Sequence, residues 1–206
     1  MRLAILGASG HGKVVADAAE AAGWQEIVFF DDAWPELENN GPWPVLGDTD
    51  ALRGSLGDYD GVVVGIGNNV VRANKQTQLV ESGASVVSII HPAATVSLHA
   101  SIEAGSVVFA QAAVNACATV GAGVIINTGA VIEHDCLVGH FCHISPNAVL
   151  AGGVTLHEQA WIGGGACVRQ LLEVGKASVV GMGAVVTKNV PSGSVFAGNP
   201  ARMLKS

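Results

Sequence analysis

A branched aliphatic residue recurs at every sixth position through the second half of the chain, from Ile90 to Val186. All seventeen of these positions carry Ile, Val or Leu. Four residues after each one the side chain is mostly small, as at Ala94 and Ala112, with Leu172 the one large exception. A period of six fits neither the alternation of an ordinary strand nor the 3.6-residue turn of a helix. It predicts a stack of short strands joined by close corners.

Three such hexads close one triangular coil of eighteen residues, with the branched residue inside and the small residue where the chain turns. Glycine supplies the positive φ that a corner can need. Stacked coils form parallel sheets whose strands lie about 4.8 Å apart. No insertion breaks the register between Ile90 and Pro191. The sequence therefore predicts an all-β parallel helix of a little under six coils.

The first 85 residues alternate strand and helix patterns instead. Apolar strands are predicted at 2–7, 26–30 and from Val62, and helices at 14–22 and 70–82. A polar loop at 33–44 and a short helix at 48–56 separate the second and third strands. Such alternation predicts a small, Rossmann-like parallel sheet of the α/β class. We therefore divide the chain into an α/β domain at 1–85 and a β-helix domain with a C-terminal tail at 86–206.

Composition excludes several classes of protein. Half of the residues are hydrophobic and 13% are charged, which favours a folded core, and the net charge of −7 disfavours a nucleic-acid partner. No apolar run reaches the roughly 18 residues of a membrane span, and the stretch at 3–6 is too short for a secretory signal. We expect a cytoplasmic protein with free thiols, used for packing rather than as nucleophiles or metal ligands, at Cys117, Cys136, Cys142 and Cys167.

Two glycine-rich turns and an acidic pair follow predicted strands of the N-terminal domain. They are Gly7-x-x-Gly10-x-Gly12, Asp31-Asp32 and Gly65-x-Gly67-Asn68-Asn69. At the carboxyl edge of a parallel sheet, glycine lets the backbone approach a ligand and a helix N-terminus favours an anion. The pattern predicts a nucleotide pocket that His11 contacts. The alternative is a pair of turns that only pack strand against helix, and the domain is too short for a complete dinucleotide site.

Acidic and imidazole side chains cluster near the middle of the β-helix. Glu133-His134-Asp135 and the pair His140 and His143 fall at corners or outer faces of the hexads, where exposure is the default. A carboxylate beside an imidazole raises its basicity and can fix its tautomer. The cluster indicates that His134 is a general base, against the alternative of an ordinary exposed histidine.

Six motifs stand in order along essentially the whole chain. They are Gly-Ala-Ser-Gly-His-Gly at 7–12, Phe-Asp-Asp at 30–32, Gly-Ile-Gly-Asn-Asn at 65–69, Asn-Thr-Gly-Ala-Val-Ile-Glu-His-Asp-Cys at 127–136, His-Ile-Ser-Pro at 143–146 and Ala-Gly-Asn-Pro-Ala-Arg at 197–202. With these motifs the chain resembles the hexapeptide-repeat sugar acetyltransferases of the sialic acid O-acetyltransferase type. Within that type it looks most like the bacterial enzymes of glycan biosynthesis that N-acetylate a UDP-linked 4-amino-4,6-dideoxy sugar.

The resemblance implies a left-handed β-helix, a homotrimer with its sites between neighbouring subunits, and acetyl-CoA as co-substrate. It implies that His134 is the general base and that Asp135 assists it. The family usually has Glu at the position of Asp135, and because Asp is shorter, Glu133 is a candidate to share that role.

The resemblance also implies two sets of binding residues. Those that match contacts to acetyl-CoA are His143, Gly152, Gly164 and Met182, and the candidate partners of its phosphates are Lys188, Arg202 and Lys205. Those that match the sugar-nucleotide pocket are Ser9, Gly10, His11, Asp31, Asp32, Gly67 and Asn68.

In the implied reaction, His134 takes a proton while the sugar amine attacks the thioester, and CoA thiolate leaves without a covalent acyl-enzyme. O-acetylation of a sialic acid or related sugar is the alternative within this class. A zinc-dependent lyase similar to the gamma-class carbonic anhydrases is another, but no two of His99, His134, His140 and His143 are 36 residues apart, so we expect no metal. The intact Glu-His-Asp cluster argues against a non-catalytic nucleotide-binding module.

Overall fold

The computed structural model describes residues 1–204, which leaves the candidate Lys205 outside the described residues. The chain divides into two compact units, and the division falls after Pro92, where the sequence pattern placed it after residue 85. Within the described part of the chain, no helix is both long and apolar enough to cross a membrane.

The N-terminal unit is a three-stranded parallel sheet with order β2-β1-β5, flanked by helices, as the strand and helix alternation predicted. Its elements in chain order are β1 (Arg2–Leu6), α1 (Gly10–Ala21), β2 (Glu26–Phe30), β3 (Asn39–Asn40), β4 (Trp43–Pro44), α2 (Thr49–Gly54), a 3-10 turn (Leu56–Asp58), β5 (Gly61–Val64), α3 (Asn69–Glu81) and β6 (Ile89–Ile90).

Two elements of this unit differ from their prediction. Helix α1 begins at Gly10 rather than Val14, because the second half of the glycine turn is itself the first turn of the helix. The predicted polar loop at 33–44 contains a small antiparallel hairpin, in which Asn40 pairs with Trp43. Both differences bring more of the chain into regular structure than composition alone indicates.

Three glycines of the turns are required by packing. Gly7 has a φ of +111°, and a Cβ at that position would lie 2.5 Å from the Ile66 side chain. A Cβ at Gly12 would overlap the carbonyl oxygen of Gly7, and one at Gly65 would lie 2.8 Å from Ile5. The strand-to-helix packing considered above therefore accounts for Gly7, Gly12 and Gly65.

The second unit is a parallel β-helix of two-residue strands, as the six-residue period predicted. Its regular strands are β7 (Thr95–Val96), β8 (Ser101–Ile102), β9 (Val107–Val108), β10 (Ala113–Val114), β11 (Thr119–Val120), β12 (Ile125–Ile126), β13 (Val131–Ile132), β14 (Leu137–Val138), β15 (His143–Ile144), β16 (Val149–Leu150), β17 (Thr155–Leu156), β18 (Trp161–Ile162), β19 (Cys167–Val168), β20 (Glu173–Val174), β21 (Val179–Val180) and β22 (Val185–Val186).

Each strand pairs with the strand eighteen residues further on, so the solenoid has three faces. Face 1 contains β7, β10, β13, β16, β19 and β22, face 2 contains β8, β11, β14, β17 and β20, and face 3 continues from β9 through β12, β15, β18 and β21. On face 1, for example, Ile132 pairs with Leu150. From β9 to β22 the second residue of each strand is buried in a single core with the small corner residues, including Cys136 and Cys142, and Val96 and Ile102 are partly buried against it. Burial of this aliphatic column is the main stabilising contribution to the coil stack.

The last coil is closed by two further strands. Strand β23 (Val195–Ala197) pairs in parallel with β21, and β24 (Arg202–Met203) pairs with β23 in the antiparallel sense. Ala201 is buried between these strands and belongs to the solenoid core. The predicted C-terminal tail is thus ordered through residue 204 and covers the end of the aliphatic column.

Candidate active site

His134 and Asp135 lie at the corner that joins β13 on face 1 to β14 on face 2. The imidazole Nδ1 is 2.7 Å from the Asp135 carboxylate, and both side chains are exposed. Asp135 has a φ of +58°, the left-handed conformation that recurs at the corners of this solenoid. An Nδ1 proton donated to Asp135 leaves Nε2 as the basic nitrogen. A general base needs such an unprotonated nitrogen to accept the proton of the incoming nucleophile.

The carboxylate that contacts His134 is that of Asp135. Glu133 is half-buried, and its backbone N–H donates to the carbonyl of Leu150 on the next coil. Its carboxylate raises the pKa of the Cys136 thiol, whose pKa is raised mainly by burial. Asp135, which we expect to assist His134, contacts its imidazole directly. Glu133, the candidate to share that role, is supported only by its position next to His134 in the chain.

The His134 ring lies directly over Gly152 of the following coil. A Cβ at Gly152 would be 2.5 Å from Nε2 and 2.6 Å from Cε1. Gly152 is therefore needed for the imidazole to occupy its position. The resemblance implies that Gly152 contacts acetyl-CoA. Its position also makes it a direct neighbour of the His134 imidazole.

A cleft of about 250 Å³ opens at this corner. Its walls are formed by His134, Asp135, Gly152, Gly153, Gln170 and Leu171. Gln170 and Leu171 belong to the corner between β19 and β20, two coils beyond His134, and the sequence analysis did not single them out. The eighteen-residue period of the coil could have identified this corner, because it places positions 134, 152 and 170 one above another.

The other histidines of the cluster lie elsewhere on the solenoid. His143 is on face 3, where its ring stacks on Trp161 with centroids 5.8 Å apart and Nε2 lies 3.3 Å from the Asn127 amide nitrogen. His140 is at the corner between faces 2 and 3, and its Nδ1 accepts a hydrogen bond from the Ala122 N–H. Within residues 1–204, no group of three or more His, Cys, Asp or Glu side chains could hold a metal ion. These residues therefore provide no set of zinc ligands for the lyase alternative.

Gly164 and Met182 stack on each other at the corner between faces 3 and 1. A Cβ at Gly164 would lie 3.6 Å from the Met182 Cε and 3.5 Å from the Pro146 carbonyl oxygen. Met182 is 83% exposed. This corner and the His134 corner are at opposite ends of the face 1 strands. A single chain therefore does not bring all the predicted acetyl-CoA contacts together around His134.

The cation candidates for the CoA phosphates have few partners in this chain. Arg202 is exposed on β24, and its guanidinium donates to the carbonyl of its neighbour Ala201. Lys188 is exposed at the last corner between faces 1 and 2. Neither side chain forms an ion pair with another residue among 1–204.

The cysteines are all free thiols, as expected. Cys136 and Cys142 fill small inward positions, where their Sγ atoms donate to the carbonyls of Ala151 and His157. Burial raises the pKa of the Cys136 thiol, which opposes formation of the thiolate that a nucleophile requires. This agrees with a mechanism that has no acyl-enzyme.

The predicted nucleotide-pocket residues converge at the carboxyl edge of the N-terminal sheet. The Asp31 carboxylate accepts from the Ala8 and Ala33 N–H groups at 2.7 and 3.0 Å, which fixes the glycine turn. Asn68 caps α3 by accepting from the N–H groups of Val70 and Val71. These two side chains have structural functions in addition to any contact with a ligand.

Asp32 lies in a polar cluster of its own. Lys75 Nζ donates to it at 2.7 Å, and the hydroxyl and N–H of Thr49 donate as well. The hydrogen bond from Lys75 and those from Thr49 lower the pKa of Asp32 to about 2. The carboxylate is therefore ionised and largely engaged within the protein.

The glycines nearest the α1 N-terminus are not required by packing. A Cβ at Gly10 would meet nothing within 4 Å, and one at Gly67 would meet only the His11 Cβ, at 4.0 Å. Ser9 precedes the helix without capping it through its side chain. The backbone at Gly10 and Gly67 thus leaves room for a ligand near the N-terminus of α1, and a helix N-terminus suits an anion.

Arg72 is the residue of this pocket that the sequence analysis missed. Its side chain is 1% exposed, and its guanidinium donates to the carbonyls of Ile66 and Gly67 at 3.0 Å and to the Asn69 side chain at 2.8 Å. These bonds fix the loop that follows β5. The helical spacing of Arg72, Gln76 and Leu79 could have indicated its burial, because the three residues share the buried face of α3.

His11 is neutral in the folded protein at physiological pH. Burial and the Arg72 guanidinium lower its pKa from 6.5 to about 4. Between these values the unfolded chain binds a proton at His11 and the folded chain does not, so the free energy of unfolding decreases as the pH falls. The loss amounts to at most about 3 kcal/mol.

Denaturation of the wild type and of His11→Asn between pH 7 and pH 4 tests this effect, with the exposed His99→Asn as control. The pH-dependent loss is expected in the wild type and in His99→Asn and smaller in His11→Asn. An NMR titration in which the His11 ring protonates near pH 6.5 would contradict the assignment.

The geometry defines a class: a hexapeptide β-helix acyltransferase with a His-Asp pair at one corner and an α/β domain that precedes it in the chain. Residues 2–79 match the PglD N-terminal domain family. The acetyltransferase domain of PglB from Neisseria gonorrhoeae FA1090, solved with acetyl coenzyme A, is 43% identical, covers 98% of each chain and has a TM-score of 0.94. The chain belongs to the hexapeptide-repeat sugar N-acetyltransferase family, and the left-handed β-helix is confirmed with it.

Two further relatives are informative. PerB from Caulobacter crescentus, solved with CoA and GDP-perosamine, is 35% identical with a TM-score of 0.95, over 100% of this chain and 98% of that one. The 2,3,4,5-tetrahydropyridine-2,6-dicarboxylate N-acetyltransferase of Staphylococcus aureus (strain JH9) is 38% identical over 71 residues. That alignment covers 31% of this chain and 30% of the staphylococcal enzyme.

Proposed function

We propose that this protein transfers the acetyl group of acetyl-CoA to the 4-amino group of a UDP-linked 4-amino-4,6-dideoxy sugar in bacterial glycan biosynthesis. The observation that carries the proposal is the His134 imidazole, which lines a cleft, is held by Asp135 at Nδ1 and has its Nε2 over Gly152. The similarity to proteins solved with acetyl coenzyme A and with an amino-sugar nucleotide supports the choice of both substrates.

The proposed mechanism is direct attack. The sugar amine forms a bond to the thioester carbonyl carbon while His134 Nε2 accepts an amine proton. The tetrahedral intermediate collapses, its carbon–sulfur bond breaks, and CoA leaves as a thiolate that is then protonated. Asp135 stabilises the imidazolium formed in the first step, because its carboxylate lies 2.7 Å from Nδ1.

We assign the nucleotide part of the acceptor to the N-terminal unit. The N-terminus of α1, with the uncrowded Gly10 and Gly67 beside it, suits a diphosphate. Asp31 and the neutral His11 border the same edge. PerB was solved with a GDP-linked sugar. The choice of UDP is therefore a separate proposal, which is tested by comparing turnover with UDP- and GDP-linked forms of the same sugar.

The proposed assembly is a homotrimer with acetyl-CoA bound between neighbouring copies. Its support is geometric: His134 and the stacked pair of Gly164 and Met182 are on different corners of one solenoid. A second copy that places its Gly164 corner near His134 would complete the site. We further propose that the protein works in the cytoplasm, where acetyl-CoA and nucleotide sugars are supplied.

O-acetylation of a sialic acid or related sugar is the second candidate, because the same imidazole can deprotonate a hydroxyl. The N-acetyltransferase relatives favour the amine. Release of CoA from acetyl-CoA, measured with UDP- and GDP-linked 4-amino-4,6-dideoxy sugars and with free and nucleotide-linked sialic acids, separates the candidates. Fastest turnover with the UDP amino sugar supports the proposal, and turnover with hydroxyl acceptors alone would replace it.

Asp31→Ala is expected to raise the KM for the sugar nucleotide by about 10- to 100-fold, the effect of losing a hydrogen-bonded carboxylate at a binding edge. The KM for acetyl-CoA is expected to stay unchanged. Asp50→Ala, at a side chain that is 87% exposed, is the matched control. An unaltered acceptor KM in Asp31→Ala would remove Asp31 from the pocket.

A further inference from the structure

A leucine stands exposed beside the general base. Leu171 is 78% exposed at the corner between β19 and β20, although a leucine side chain favours burial. Its φ of +60° is the left-handed conformation that recurs at these corners, where glycine or a polar residue often stands. The isobutyl group therefore occupies the cleft wall without a buried contact that would explain it.

Two consecutive glycines bring this leucine toward His134. The imidazole from the preceding coil lies over Gly152, and the Leu171 side chain from the following coil lies over Gly153, where a Cβ would be 2.7 Å from its Cδ2. The Gly152-Gly153 backbone, which carries no side chains, thus lies between the His134 imidazole and the apolar Leu171 in the cleft wall. Leu171 is the large apolar side chain among the six residues of its walls.

We propose that Leu171 determines selectivity for a 6-deoxy acceptor by packing against the C6 methyl group of the sugar. This inference rests on the proposed function. The methyl carbon of a 4-amino-4,6-dideoxy sugar is bonded to the ring carbon next to the one that bears the amine. When the amine is at His134 Nε2, the methyl group falls within the same small cleft. A 6-hydroxyl at that position would lose water against Leu171 without gaining a hydrogen bond from it.

The test compares two acceptors, the UDP-linked 4-amino-4,6-dideoxy sugar and its 6-hydroxy counterpart. The wild type is expected to favour the 6-deoxy sugar by about 10- to 100-fold in kcat/KM, the range for small changes against an apolar wall. Leu171→Ala is expected to lower that ratio about tenfold, with the KM for acetyl-CoA unchanged, and Leu171→Met is expected to restore most of it. Alanine is compatible with this backbone, since Ala177 has a φ of +53° at another corner.

Leu98→Ala is the matched control, because Leu98 is 99% exposed at the same type of corner, two coils before His134. It is expected to leave the ratio unchanged. An unchanged ratio in Leu171→Ala, or loss of the native oligomer in that variant, would overturn the assignment of Leu171 while the proposed function stands. Absence of turnover with either amino sugar in the wild type would overturn the proposed function and this inference together.

Discussion

His134→Ala is expected to lower kcat for acetyl transfer by about 10²- to 10⁴-fold, the contribution of a positioned general base. The variant loses the imidazole that forms part of the cleft wall, while the exposed position of His134 leaves the folded core untouched. Binding of acetyl-CoA and the oligomeric state are therefore expected to be retained. Steady-state kinetics, calorimetric titration with acetyl-CoA and size-exclusion chromatography measure the three quantities.

His99→Ala is the control for this substitution, because His99 is an exposed histidine at the same type of corner two coils earlier. It is expected to retain wild-type turnover. Wild-type turnover in His134→Ala as well would remove His134 from the chemistry and leave the cleft without a base.

Gly152→Ala is expected to lower kcat by about 10²-fold through the base rather than through the fold. The added Cβ would lie 2.5 Å from His134 Nε2, so the ring must move by about 1 Å to reach ordinary contact, and a shift of that size costs about 10²-fold in rate. Gly152 does not have the left-handed φ of its neighbour Gly153, and alanine is therefore compatible with its backbone. Kinetics and thermal denaturation of the same samples separate the two effects.

Gly54→Ala is a control for the added methyl group, since a Cβ at Gly54 would meet nothing within 4 Å. A Gly152→Ala variant with normal kcat would show that the imidazole does not need its observed position. A variant that unfolds at a much lower temperature would instead assign Gly152 to the stability of the coil.

The sequence predicted the β-helix closely because its signal is repeated. Each hexad independently requires a branched residue inside and a small one at the corner, so errors at single positions such as Leu172 do not alter the register. The same three-hexad period places His134 and Gly152, which are eighteen residues apart, at one corner of successive coils.

The contacts within the N-terminal unit were less predictable, since they join residues that are distant in the chain. Asp32 meets Lys75 and Thr49 through the packing of three elements, and no local pattern encodes that meeting. Arg72 was missed because an arginine in a predicted helix is ordinarily exposed. Its position on the buried face of α3 becomes informative only when the helical period is followed through Gln76 and Leu79.

The proposed reaction transfers an acetyl group from acetyl-CoA to a sugar amine. NMR of the product formed from carbonyl-labelled acetyl-CoA and a UDP-linked 4-amino-4,6-dideoxy sugar tests it most directly. The label is expected in an amide at the 4-position, and His134→Ala is expected to lower its rate of appearance by about 10²- to 10⁴-fold. Label found in an ester, or none transferred by the wild type, would contradict it.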